Sequence, residues 1–144
     1  MALKVTKTEV WAAEIQDQPA GLAQSLAAIA NTGASIECVI ARRQPDKPGT
    51  GVVFVTPLKG KKAVTGAATV GFSEAQRIAT LKVEGDDRPG LGARLAEAVG
   101  AAGVSMRGLT AAVVGRKFVA YLGFDSADDA ARAAAALRAF ARRK

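Results

Sequence analysis

The chain has no histidine and only one cysteine in 144 residues. Without imidazole it lacks the side chain most used as a general base near neutrality and the commonest metal ligand. One thiol, Cys38, allows no internal disulfide, which fits a reducing compartment. With so few nitrogen and sulfur donors, the sequence argues against a zinc or iron–sulfur site, and no cofactor is expected. Ser–Lys or paired-carboxylate catalysis stays open in principle, but no spacing announces it. Aromatic residues make up 5% of the chain, a poor supply for stacking on bases. No apolar run approaches the ~20 residues of a membrane helix, and Met1-Ala2-Leu3-Lys4-Val5 lacks the charged-then-apolar layout of a signal peptide. The expectation is a cytoplasmic, soluble protein.

Hydrophobic residues reach 49%, ample for a core, and the net charge is +7 with a pI near 10.0. Such a charge raises nucleic acid as a partner. The basic residues are scattered, however, at Arg42-Arg43, Lys59, Lys61, Lys62 and Arg142-Arg143-Lys144. A solvated basic surface is the preferred reading, with nucleic acid the less favoured one. Cys38 sits in an apolar, strand-like run and reads as a buried, inert thiol.

What the chain does have is an internal repeat. Asp17-Gln18-Pro19-Ala20-Gly21 and Asp87-Arg88-Pro89-Gly90-Leu91 place their prolines 70 residues apart, and Gly33-Ala34-Ser35 and Gly103-Val104-Ser105 repeat at the same offset. Repeats of this kind decide the fold before anything else does.

In the first half, Trp11, Ala13 and Ile15 alternate as in a strand, and Leu3 and Val5 extend that alternation backwards into one long strand. Residues 20–32 carry Leu22, Leu26, Ile29 and Ala30 at helical spacing, stopped by Gly33. Residues 35–41 and 51–56 read as strands joined by a turn rich in proline and glycine. A weaker helix follows over 59–68, then either a short strand or a connector over 72–76. In the second half, strands are expected over 77–84, 104–114 and 117–124, with a turn at Gly115. Helices are expected over 91–102 and 128–141. Ser126 with Asp129 resembles a capping box, and the basic tail suits the negative end of the last helix.

Each half therefore reads β-α-β-β-α, the split βαβ or ferredoxin-like plan. The fold class is α+β: two tandem ferredoxin-like repeats, over residues 1–75 and 76–144, packed side by side into one extended antiparallel sheet with helices on one face. The second half ends before its fourth strand. Exposed edges invite aggregation, so the N-terminal strand, or a second chain, is expected to supply the missing partner.

The Asp-Xaa-Pro turns admit a structural explanation, since proline suits the first helical turn and an aspartate before it can cap. The same physics also makes a binding site. A helix N-terminus presents unpaired N–H groups and a positive dipole to carboxylates, and a nearby aspartate can hold an ammonium group. Together these suit a zwitterion such as an amino acid.

The strand, Asp-Xaa-Pro-Gly turn, helix and Gly-Xaa-Ser order, present twice, resembles the ACT domain family of amino-acid-binding regulatory modules. The resemblance covers roughly residues 9–72 and 77–140, and the second copy is nearer to the family pattern. It implies a ligand held between the turn of one module and the second strand of its neighbour. Carried over, that names Asp17, Gln18, Ala20 and Gly21, and Asp87, Arg88, Gly90 and Leu91. Facing them it names Ile36, Glu37 and Cys38, or Met106, Arg107 and Gly108. Ala20 stands where the family has glycine. Either Ala20 corresponds to Gly90, or Ala20 is an insertion and Gly21 corresponds to Gly90, which would match Leu22 and Leu26 with Leu91 and Leu95. The implied function is a non-catalytic regulatory protein, without metal or cofactor, that binds a small molecule and associates as a homodimer or with a regulated partner. The alternative is a structural oligomerisation module.

Overall fold

The apolar alternation of the strands dictates which face each sheet turns to its helices. The computed structural model describes residues 2–75 and 78–143. In chain order its elements are β1 (Leu3–Thr8), β2 (Trp11–Gln16), α1 (Gly21–Ala30), β3 (Cys38–Arg43), β4 (Thr50–Thr56), α2 (Lys61–Ala68), β5 (Ser73–Glu74), β6 (Ala79–Asp86), α3 (Leu91–Ala101), β7 (Gly108–Val114), β8 (Lys117–Phe124) and α4 (Ala127–Arg142). Two compact units result, one of residues 9–75 and one of residues 1–8 together with 76–144. Strand pairing among the described residues gives two four-stranded sheets, β3-β4-β2-β5 and β1-β6-β8-β7, rather than one extended sheet. Every ladder is antiparallel.

In the first unit Ala13 lies opposite Val53 and Trp11 opposite Val55, so one face carries the core. Ile29 of α1 and Ala63 and Ala67 of α2 close over that face. The two helices approach closely at Gly66, where a Cβ would come within 2.3 Å of the Thr32 methyl carbon. Among the described residues the fourth strand, β5, pairs through Trp11 with Glu74 and Ala12 with Ser73, and the Ala75 N–H donates to the Val10 carbonyl at 2.8 Å.

The second unit repeats the plan with a fuller core. Leu81, Val83, Phe118, Ala120, Leu122 and Phe124 share one face and meet Leu91, Leu95 and Val99 of α3 and Ala130, Ala133, Ala134 and Leu137 of α4. Ser126 caps α4 by accepting from the Asp129 N–H at 3.1 Å, with Asp128 and Asp129 in its first turn and Arg142 in its last. After α3, Gly103 takes the left-handed conformation (φ 77), its N–H donates to the Gly100 carbonyl and the Val104 N–H to the Val99 carbonyl. This is a Schellman closure.

The missing fourth strand is β1. Residues Leu3–Thr8 pair in register with β6, Leu3 opposite Gly85 and Thr8 opposite Thr80. Val5 is buried among the second unit's core residues, and Arg138 Nη2 of α4 donates to the Val5 carbonyl at 2.9 Å. The first repeat is thus inserted between the edge strand of the second repeat and the rest of it.

Several expectations need correction. The long N-terminal strand is two strands, interrupted at residues 9 and 10, because its halves pair in different sheets. Residues 35–37 and 104–107 precede their strands instead of belonging to them. Val104 is apolar because it closes α3. Leu22 is 36% exposed; the buried residues of α1 are Gly21, Ser25 and Ile29. Cys38 is half-buried, and its neighbour Val39 faces Val55 of the core side, so Cys38 lies on the face away from the helices. The expected strand start at Arg77, the connector's end at Gln76, and Lys144 of the basic tail lie outside the described residues.

Candidate ligand-binding turns

The two turns are built alike. Asp17 donates its N–H to the Gly49 carbonyl (3.0 Å) and Asp87 to the Arg116 carbonyl (2.8 Å), tying each turn to the hairpin beside it. The Gly21 N–H donates to the Gln18 carbonyl and the Leu91 N–H to the Arg88 carbonyl, both at 3.1 Å. Proline fixes its own φ near −65°, and the next residue is left-handed in both copies, Ala20 at φ 67, ψ −2 and Gly90 at φ 78, ψ 6. These are type II turns, with proline at the second position and the third demanding positive φ. Ala20 therefore corresponds to Gly90, and the insertion alignment is set aside. The prolines precede the helices by two residues, and neither aspartate caps, for both helices lack a side-chain cap.

Ala20 is the one non-glycine residue with positive φ among the described residues. An L-residue in that region costs about 1–2 kcal/mol, and the greater unfolded freedom of glycine returns about 0.5–1 kcal/mol of that. Ala20→Gly should therefore raise stability by about 0.5–1 kcal/mol, and Gly90→Ala should lower it by a similar amount. Urea titrations of both variants check this; a loss of stability in Ala20→Gly would contradict the type II assignment.

The turns differ in what they leave open. In the first, the Gln16 carbonyl accepts the Gln18 N–H at 3.0 Å and presses so closely on Gly21 that a Cβ there would lie 2.6 Å from it. Asp17 Oδ2 is taken by Arg43 Nε at 2.8 Å. In the second, Leu91 occupies the place of Gly21 and its side chain is buried at 1% exposure, so it serves the core and not a ligand. Asp87, Arg88 and Gly90 are exposed, as Asp17, Gln18 and Ala20 are; Arg94 Nη2 donates to the Pro89 carbonyl at 3.2 Å, and a Cβ at Gly92 would meet nothing within 4 Å. Beside them the Asp86 carboxylate holds Lys117 Nζ at 2.5 Å. That hydrogen bond, then the charges of Lys117 and Arg88, lowers its pKa below the usual carboxylate value.

The partner segments named by sequence stand elsewhere in each unit. Met106 packs half-buried against the second core, while Arg107 donates its N–H to the Gly123 carbonyl at 2.7 Å and pairs with Asp125 at 3.2 Å. Gly108 begins β7 opposite Gly123. The turn lies at the other end, where Asp86 opposes Lys117. About six residues of strand at ~3.3 Å each put the two segments about 20 Å apart. In the first unit Ile36 packs on the core, the Glu37 N–H donates to the Thr56 carbonyl, and Cys38 opposes Thr56, far from the Gln16–Thr50 end where the turn sits. Neither unit joins its own turn to its own partner segment.

What sequence reading missed is the exposure of β7. All seven of its residues are exposed, including Leu109, Val113 and, at 74%, Val114, and none is charged. Its alternation is weak (Leu-Thr-Ala-Ala-Val-Val), which was the available signal.

No protein-family model matches the chain, and no curated protein matches it. Solved structures do. Protein BT0572 from Bacteroides thetaiotaomicron superposes with a TM-score of 0.77 at 9% identity, over 93% of this chain and 90% of that one. The regulatory subunit of aspartate kinase from Thermus thermophilus, in its ligand-free form, superposes with a TM-score of 0.64 at 18% identity, over 96% and 97% of the two chains. A C-terminal regulatory domain of aspartate kinase from Porphyromonas gingivalis gives 0.56 at 11% identity, over 99% and 97%. The fold is ACT-like, built twice. At these identities the likeness extends to architecture and goes no further.

Proposed function

We propose that this chain is a non-catalytic regulatory protein that binds a small molecule, an amino acid, at the turn from Asp87 to Gly90, and couples that binding to self-association. One observation carries the reading: of two turns with the same backbone, the second keeps the left-handed glycine and has room beside Gly92, while in the first alanine replaces that glycine and Arg43 takes the Asp17 carboxylate. The first N–H groups of α3 and the helix dipole suit a carboxylate, and Asp87 suits an ammonium group. Regulatory aspartate kinase subunits among the structural neighbours support the assignment to regulation. Because Met106 and Arg107 lie at the far end of the turn's own sheet, a complete site draws them from a second copy of the chain. Ligand then tightens association and association tightens ligand binding by the same factor.

A thermal-shift screen against the free amino acids tests this. Ligand at 100 times its dissociation constant adds about 2.7 kcal/mol, and a shift of several degrees is expected. Gly92→Val, at a position with room for a side chain, should abolish the shift while leaving the unliganded midpoint in place. No shift with any amino acid at millimolar concentration would sink the reading. The exposed, uncharged β7 edge favours the alternative of an oligomerisation module, for which a stable oligomer indifferent to every ligand is the expected result.

A further inference from the structure

The strand that completes the second unit is its least integrated part. β1 is separated from the rest of its sheet by the whole of residues 9–75. Of its six residues only Val5 is buried, with Leu3 partly covered; Lys4 and Lys7 are exposed. Its attachment is therefore mostly the backbone ladder to β6 and the Arg138 hydrogen bond to the Val5 carbonyl. A ladder is indifferent to which chain supplies the strand. Its counterpart in the first unit, β5, follows α2 after a four-residue connection and has no such freedom. Between β1 and β2 stand only Glu9 and Val10, whose carbonyls accept from Thr56 Oγ1 at 2.7 Å and the Ala75 N–H at 2.8 Å, so the hinge is anchored to the first unit and not to the sheet that β1 completes.

We propose that β1 exchanges between two copies of this chain, residues Leu3–Thr8 of one copy pairing with β6 of the other. The exchanged dimer keeps every contact of the β1–β6 ladder, so it costs only the freedom lost on association. The proposal does not depend on ligand binding at the Asp87 turn.

The test uses the full chain with Cys38→Ser, Thr6→Cys and Lys82→Cys. Thr6 and Lys82 are register partners, and residues directly opposed in an antiparallel pair lie about 4.5–5.5 Å apart between Cα atoms, within reach of a disulfide. Protein is incubated over a range of concentrations, oxidised, and resolved without reductant, with the linked peptides identified by mass. The expected result is a dimer in which position 6 of one chain is bonded to position 82 of the other. Its ratio to internally linked monomer should rise about tenfold for each tenfold rise in free monomer. Only intramolecular bonds at every concentration would overturn the proposal, even where light scattering shows a dimer, because that dimer would then use another face. A dimer bonded from position 6 to position 6, or no disulfide at all, would overturn it equally.

Discussion

Replacing Gly21 with leucine, the residue that stands 70 positions later at Leu91, should strongly destabilise the first unit. The two copies solve the same packing problem with opposite stocks of side chains. Leu91, Leu95 and Val99 line α3, whereas Gly21, Ser25 and Ile29 line α1 at the same offset. The slender stripe lets α1 start directly against its own strand, so that a Cβ at Gly21 would sit 2.6 Å from the Gln16 carbonyl oxygen. Overpacking costs about 1–3 kcal/mol where side chains can yield. Here the obstacle is backbone, so the cost should reach or pass the top of that range. Trp11 is the chain's only tryptophan and packs on the first core, so its fluorescence reports this unit alone. The midpoint of the Trp11 transition in urea should fall steeply for Gly21→Leu. An unchanged midpoint would mean that α1 does not rest on Gln16. The reverse change, Leu91→Gly, removes a buried side chain and should cost at least the roughly 2–5 kcal/mol of a leucine truncated to alanine.

The second large effect is expected from Val5→Asp. Val5 is 7% exposed and packs among the second unit's core residues. An unpaired carboxylate there loses about 1.5–3 kcal/mol of apolar burial and adds a desolvation cost of several more. The ladder to β6 and the Arg138 hydrogen bond cannot offset that sum, so β1 should detach. With it gone, β6 becomes a bare edge of eight residues, Ala79–Asp86, and bare edges pair with other chains. Size-exclusion chromatography should show aggregation, and the β6 amides that face β1 should lose hydrogen-exchange protection. The exposed neighbour Lys4→Asp is the control and should leave both unchanged. Retained protection in Val5→Asp would show that the ladder alone holds the strand.

Much of this architecture was legible in the residues. The 70-residue repeat and the alternation of Ala79, Leu81 and Val83 marked the doubled β-α-β-β-α plan and the core face, and the need to cover the second half's open edge pointed to Leu3 and Val5. Boundaries were harder where one apolar residue serves two purposes. Val104 continues an apolar run yet closes a helix, and Leu22 repeats at helical spacing yet is exposed because the close seat of α1 is made by Gly21 and Ser25. The left-handed angle at Ala20 was hidden, since alanine gives no sign of it. Once seen, it fixed the correspondence of the two turns that spacing had left open. The division of the long N-terminal strand at Glu9 and Val10 had no local signal, because pairing partners far along the chain set it.

The location of β1 also has a consequence for how the chain is made. It is synthesised well before its partner β6, which begins only at Ala79. At ~5–20 residues per second, β1 waits roughly 4–16 s with its backbone donors and acceptors unmatched. Residues 9–75 are synthesised in full within that wait, so the first unit has the chain it needs to fold while β1 is still unsatisfied. Sparse apolar content in β1, with Lys4 and Lys7 exposed and only Val5 buried, is what makes such an interval tolerable. In a polysome, neighbouring nascent chains hold the same strand ready at the same moment.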